Sequence, residues 1–273
     1  KRATSWATDR VNLERHVKPV LGARLAREIE KADIGRLVKA VTDGATAADV
    51  KTKKRGRSIV KGGPAAAARA LATVRAMWTW AIEHPQLSGL KGPNPAVGIK
   101  LAATGSSERF LTDDEAHAVF AAIATLEAEL EITEAQAAIY RLLLLTGARR
   151  NEIAGLRWSE VDLTRRWLSL PPTRTKAGAK TGERRIHLNS AALAIIKALP
   201  KHKGTPWLFP AARGAKGHTT TASKVWKEKV VPKAKLAGVR VHDLRHSFAS
   251  FALADGVSLA MIGKALGHAN SRS

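Results

Sequence analysis

Cysteine is absent from the 273 residues. Disulfides and thiolate metal sites therefore play no part in holding this chain together, which fits a reducing compartment. Tyrosine occurs once, at Tyr140. Acidic residues are scarce, with 23 Asp and Glu against 46 Lys and Arg. Long apolar runs are missing too: Leu142 to Leu145 reads as the core of a buried helix and falls far short of a membrane span. The N-terminus lacks the basic-then-apolar pattern of a secretory signal. Neither an initiator Met before Lys1 nor an evident cap at Ser271-Arg272-Ser273 is present, as expected of a piece of a longer protein.

What is present points to a folded, strongly basic protein. Hydrophobic residues make up 45% of the chain, too many for a mostly disordered one. The length suits one large domain or two ordinary ones. A net charge of +23 repels itself in the compact state. That excess calls for a polyanionic partner, nucleic acid first and an anionic membrane surface second.

Residues 1–98 read as helical. Trp6, Arg10, Leu13 and Val17 fall on one stripe, which Pro19 is expected to stop. Ala23 to Val41 carries two further helical segments, with Asp33 as the N-cap before Ile34, Leu37, Val38 and Val41. Lys51 to Arg57 (including Lys53, Lys54 and Arg55) and Lys61-Gly62-Gly63 read as a basic loop. It could meet phosphates or simply be solvated. Pro64 opens a long Ala-rich helix through Leu71, Val74, Met77, Trp78 and Ala81, whose Trp78 and Trp80 are expected to pack. Gly92 to Pro95 ends this region, and residues 99–107 form a linker, most evidently Ala102 to Ser107. A second domain, 108–273, begins with a capping box between Thr112 and Glu115. Trp167 to Leu170 and Arg185 to Leu188 alternate like strands around a basic turn, and the rest returns to helix. No internal repeat is evident.

Three short segments carry chemistry. Thr146-Gly147-Ala148-Arg149 ends a buried helix and presents Arg149 in a turn before Asn151 and Glu152 begin the next. Alone, that arginine reads as a surface partner of Glu152. His242 and Arg245, three apart, share a face at a helix start, with Leu244, Phe248 and Phe251 on the buried side. His242 and His246 have zinc-pair spacing, but Asp243 stands where a metalloprotease has glutamate, and Arg245 puts positive charge beside any cation. His246 reads as a structural group satisfying backbone. His268 follows a helix at Leu266-Gly267 and, alone, is ordinarily structural; His187 and His218 have no supporting pattern. Two arginines and two histidines in a basic protein suit a phosphate whose charge rises in a transition state.

TGARRNEI (146–153), LRWSEVDL (156–163), HDLRHSFAS (242–250) and ALGH (265–268), in that order, resemble the tyrosine recombinases of the phage-integrase family. The likeness covers nearly the whole chain, including Ala81-Ile82-Glu83 and Asn94-Pro95-Ala96 in the first part. It implies a mainly α fold with a small antiparallel sheet, a helical core-binding domain at 1–98 and a mixed α/β catalytic domain at 108–273. It also implies site-specific recombination of double-stranded DNA through a 3′-phosphotyrosyl intermediate, without cofactor or metal, by a homotetramer in a bacterial or phage-derived cytoplasmic nucleoid setting. The family's site residues correspond here to Arg149, His242, Arg245 and His268. Its hairpin lysine corresponds to Lys176, with Lys180 in a competing register. DNA contacts in the first domain are expected from Lys51, Lys53, Lys54, Arg55, Arg57 and Lys61. The nucleophilic tyrosine is expected about nine residues after His268, beyond Ser273, whereas Tyr140 precedes the site and reads as core. These residues are therefore expected to grip DNA without cutting it. Two other readings stay open: a type IB topoisomerase and a non-catalytic DNA-binding protein on the same fold.

Overall fold

The computed structural model describes residues 3–53, 56–101, 109–174, 182–211 and 217–267. The chain divides into two compact units, Lys1–Ser106 and Ser107–Ser273. No helix among the described residues is long and apolar enough to cross a membrane. The fold is mainly helical, with a two-stranded and a three-stranded antiparallel sheet.

In the first unit, helix α1 (Ala3–Asn12) does not stop before Pro19. It runs through a wide π-turn at Leu13–Val17 and continues as Lys18–Leu21. Pro19 stands in the first turn of that last piece, where a missing N–H costs no intrahelical bond. The extra residue in the π-turn shifts the inward phase. His16 is buried, its Nδ1 2.7 Å from Thr46 Oγ1, while Trp6 is 63% exposed. Helix α2 (Lys31–Thr42) is preceded by Glu30 as N-cap, and Asp33 lies inside its first turn. The Asp33 carboxylate accepts the Glu30 amide at 2.9 Å, the reverse half of a capping box, which corrects its expected role as the cap. Ile34, Leu37 and Val41 of α2 share a core with Ala67, Leu71 and Val74 of α3 (Pro64–Glu83). Trp78 packs against that core. Trp80 does not; it is half exposed and stacks on His84 with centroids 4.8 Å apart. Asn94 ties the segment after α3 back to it: its Nδ2 donates to the Arg75 carbonyl (3.0 Å) and its Oδ1 accepts the Ala96 amide (2.9 Å).

The expected basic loop is largely a hairpin. Strand β1 (Ala48–Lys53) pairs antiparallel with β2 (Gly56–Val60), with a register irregularity between Lys51 and Lys53. Ala48 to Lys51 alternates apolar with charged residues, but the charge run that follows hides that period of two. Arg57 reaches diagonally across to Asp49, its Nε 2.6 Å from Oδ1.

In the second unit, Thr112 and Glu115 close the expected capping box at the head of α4 (Asp113–Ala128), with amide-to-side-chain bonds of 3.0 and 3.2 Å. Helix α5 (Glu134–Thr146) is buried on nearly every side, so its run of four leucines needs no polar face. Tyr140 is core, as expected: its hydroxyl donates to the Ala222 carbonyl (2.7 Å) and its ring tilts against Trp226. The short helix α6 (Arg150–Ala154) follows. Then comes the sheet β3 (Val161–Asp162), β4 (Trp167–Leu170) and β5 (Arg184–His187), in that order. Residues 175–181 between β4 and β5, Lys176 and Lys180 among them, lie outside the described residues, as do Ala102 to Ser107 of the linker. Helices α7 (Ser190–Ala198), α8 (Asp243–Ala254) and α9 (Leu259–Leu266) complete what the site requires.

Candidate active site

Gly147 determines how the first arginine is offered. It ends α5 in the left-handed region (φ +60°), and a Cβ there would fall 2.4 Å from the Phe248 ring and 2.9 Å from Leu266. Only glycine lets α5 stop against α8 and α9 at once. Arg149 then stands as the N-cap of α6. Its amide donates to Glu152 Oε2 (2.8 Å) and its Nη1 to Oε1 (3.0 Å). The pairing with Glu152 expected from sequence is real, but it is not a surface pair. Glu152 is 3% exposed, while the Arg149 side chain keeps 28% of its surface open.

Arg245, expected beside His242 on a polar helix face, is instead almost fully buried, at 6% exposure. Its Nη1 donates to the Gly147 carbonyl and its Nη2 to the Leu266 carbonyl, both at 2.7 Å. These bonds join α8 to the Arg149 turn and to the end of α9. Burial, followed by the like charges of Arg149 and Arg184, pushes the Arg245 guanidinium down to about 10. It remains a cation at neutral pH, held where an incoming anion relieves the repulsion. His242 stands at the N-cap position of α8, makes no side-chain capping bond and stays exposed. Desolvation, then the neighbouring His246 and Arg245, hold its imidazole below the ordinary value. His246 is exposed and sets its ring edge-on to His242 at 5.1 Å, and among the described residues that ring makes no hydrogen bond to the backbone. The start of α8 is fixed from below. The buried Asp243 accepts the Arg240 amide (2.7 Å) and guanidinium (2.8 Å), and Ser247 Oγ accepts the Leu111 amide (2.8 Å).

Two residues of this constellation escaped the sequence reading. Arg184 is 7% exposed, ion-paired with Glu152 through Nη1, and donates from Nη2 to the Ala265 carbonyl at 2.9 Å. Its signal was there: Arg184, Ile186 and Leu188 occupy one phase of a strand, so a charge stands at an apolar position. Arg174 ion-pairs with Glu160 and donates from Nη2 to the Glu152 carbonyl (3.1 Å), which anchors the chain two residues before Lys176 onto α6. A cavity of about 990 Å³ opens beside the cluster, lined by Arg149, Arg184, Trp167, Phe248, Met261 and Lys264. The structure thus brings Arg149, Arg245 and His242 to one region. Lys176 and His268 lie outside the described residues, as do Lys54 and Arg55 in the first unit, and the Lys53 side chain is not described. Lys51, Arg57 and Lys61 are exposed on or beside the hairpin.

The family model described as "Phage integrase family" matches residues 109–273. This chain belongs to that family. Over 143 residues it is 32% identical to the tyrosine recombinase XerD of Rhizobium meliloti (strain 1021), an alignment covering 49% of this chain and 43% of that protein. Over 206 residues it is 26% identical to the tyrosine recombinase XerC of Xylella fastidiosa (strain M23), covering 74% and 65%. The chain spans under half the length of the first relative and just under two thirds of the second. In fold it is similar to a lambda integrase solved as a tetramer bound to a Holliday junction. That likeness has a TM-score of 0.70 and 16% identity, and covers 100% of this chain and 74% of that one.

Proposed function

We propose that this integrase-family chain serves site-specific recombination by transesterification at a DNA phosphodiester, with Arg149, Lys176, His242, Arg245 and His268 as its site residues. One observation carries the reading: the Arg149 turn and the buried Arg245 are hydrogen-bonded into a single unit at Gly147, so two guanidiniums meet one anion. Guanidinium forks match phosphate oxygens, and a clamp aimed at developing charge lowers the barrier most. In the step proposed, a tyrosine oxygen attacks phosphorus and forms the 3′-phosphotyrosyl bond while the bond to the 5′-oxygen breaks. His242 assists removal of the tyrosine proton, Lys176 protonates the departing 5′-oxygen, and His268 bonds the phosphate. A second strand's 5′-hydroxyl later reverses the step. Residues 1–98 are assigned core binding, 99–107 the linker and 108–273 catalysis. The working assembly is a homotetramer on double-stranded DNA in a bacterial or phage-derived nucleoid.

The nucleophile is the direct test. Tyr140 is buried, hydrogen-bonded, and pushed up by desolvation, so it is no candidate. Residues 1–273 are expected to form no covalent adduct with a specific DNA site. A chain extended to carry a tyrosine soon after His268 is expected to form one that persists on denaturing gels and is lost when that tyrosine becomes Phe. An adduct from residues 1–273 that disappears in Tyr140→Phe overturns the assignment.

The hairpin gives a second expected outcome. DNA affinity should fall steeply with salt, by roughly one unit of log–log slope per neutralised phosphate. Replacing Lys51, Arg57 and Lys61 together with Ala should reduce that slope by about two units rather than three, since Arg57 is already paired with Asp49. Filter-binding or anisotropy titrations across a salt series measure it, and an unchanged slope removes the hairpin from the interface.

A further inference from the structure

We infer that Arg184 is a positioning residue of this site, a buried strut that couples the Arg149 turn to the end of α9, from which the chain leaves toward His268. The inference rests on the recombinase reading above and adds a residue to it. Arg184 projects inward from β5 opposite Leu170, where the strand pattern calls for an apolar side chain. A buried guanidinium at such a place is costly unless a counter-charge and hydrogen bonds compensate it. Nη1 meets Glu152 Oε2, the same oxygen that accepts the Arg149 amide, and so holds the carboxylate that orients Arg149. Nη2 meets the Ala265 carbonyl. The next carbonyl, Leu266, is taken by Arg245. Two site arginines thus clamp consecutive carbonyls at the negative end of α9.

Gly267 completes the device. It caps α9 in the left-handed region (φ +69°), and a Cβ there would lie 2.7 Å from Arg184 Nε. Arg184 therefore sets the path of the backbone one residue before His268. Among the described residues its Nε has no hydrogen-bond partner, so its bonds run through the two terminal nitrogens. Burial lowers the affinity of Arg184 for its proton, the Glu152 charge offsets part of this, and Arg149 adds to the lowering. Three guanidiniums around one carboxylate leave the cluster net positive and ready for a phosphate. Lysine, with a single ammonium, cannot reproduce the fork that reaches Glu152 and Ala265 together.

Arg184→Lys and Arg184→Met in the full-length protein test this. DNA cleavage should slow by about ten- to a hundredfold in Arg184→Met, with DNA affinity changed by no more than about threefold, and Arg184→Lys should recover only part of the rate. Amide hydrogen exchange supplies a readout independent of activity: peptides covering 147–152 and 264–267 should exchange faster in both variants, while α4 should not change. Placing Arg184→Met in a Glu152→Gln background should add little further loss of rate. Cleavage by Arg184→Met at the unsubstituted rate, or unaltered exchange in both segments, overturns the strut. An unsubstituted protein that binds DNA but never cleaves it refutes the recombinase reading instead, and the exchange measurement then decides the strut by itself.

Discussion

Arg149→Ala and Arg245→Ala should each slow DNA strand cleavage by the full-length protein about a hundredfold or more, while equilibrium DNA affinity falls far less. The difference follows from when each guanidinium works. A phosphodiester carries one negative charge at rest, and further charge builds on its non-bridging oxygens as the nucleophile attacks, so donors fixed in advance gain most in the transition state. Arg245 is fixed in advance by two carbonyls at 2.7 Å, and Arg149 by a buried carboxylate. The two substitutions should differ in one respect. Arg245→Ala leaves the Gly147 and Leu266 carbonyls without their donor and should lower thermal stability as well. The more exposed Arg149 should lose rate with little loss of stability. Single-turnover cleavage with melting curves on the same preparations measures both, and near-wild-type cleavage by either variant removes that residue from the site.

Glu152→Ala should destabilise the protein by about 3–5 kcal/mol, the scale for breaking a buried ion pair from one side. The carboxylate is 3% exposed, and its loss leaves Arg184 buried with no counter-charge. Burial works to raise the Glu152 carboxyl, but the Arg184 charge, then the Arg149 amide and guanidinium, outweigh it and hold the group below the ordinary carboxylate range. A depressed carboxyl contributes stability that is complete above its unfolded-state value and is lost as pH falls through the folded-state value. Denaturant unfolding from pH 7 downward should therefore show wild-type stability declining through the acid range, and Glu152→Gln should be less stable at pH 7 with a shallower decline. Equal stability of Glu152→Ala and wild type at pH 7 contradicts the buried pairing.

Much of this molecule was legible in order and spacing alone. The family motifs follow one another along the chain, and local rules place their elements: the Thr112–Glu115 capping box, the Gly147 stop after the Leu142–Leu145 run, and the alternation of Trp167 to Leu170. These are interactions between residues a few positions apart, so a short window of sequence contains them whole. Window-based reading failed where a local signal was masked or shifted. The charge run at Lys51 to Arg57 hid a hairpin, and a π-turn carried α1 past Pro19.

Only the tertiary structure decided the site's electrostatics. Arg245 and the Gly147 carbonyl are 98 positions apart, Arg184 and Glu152 are 32, and Arg184 and the Ala265 carbonyl are 81. Helical spacing placed Arg245 on a polar face with His242, yet packing of α5 and α9 against α8 buried it and left His242 open. Sequence determined which charged groups the chain owns and roughly which element holds each one. How far each is withdrawn from water, and which carbonyl or carboxylate faces it, depends on contacts between elements remote in the chain, because desolvation and Coulomb terms are set by distance in space.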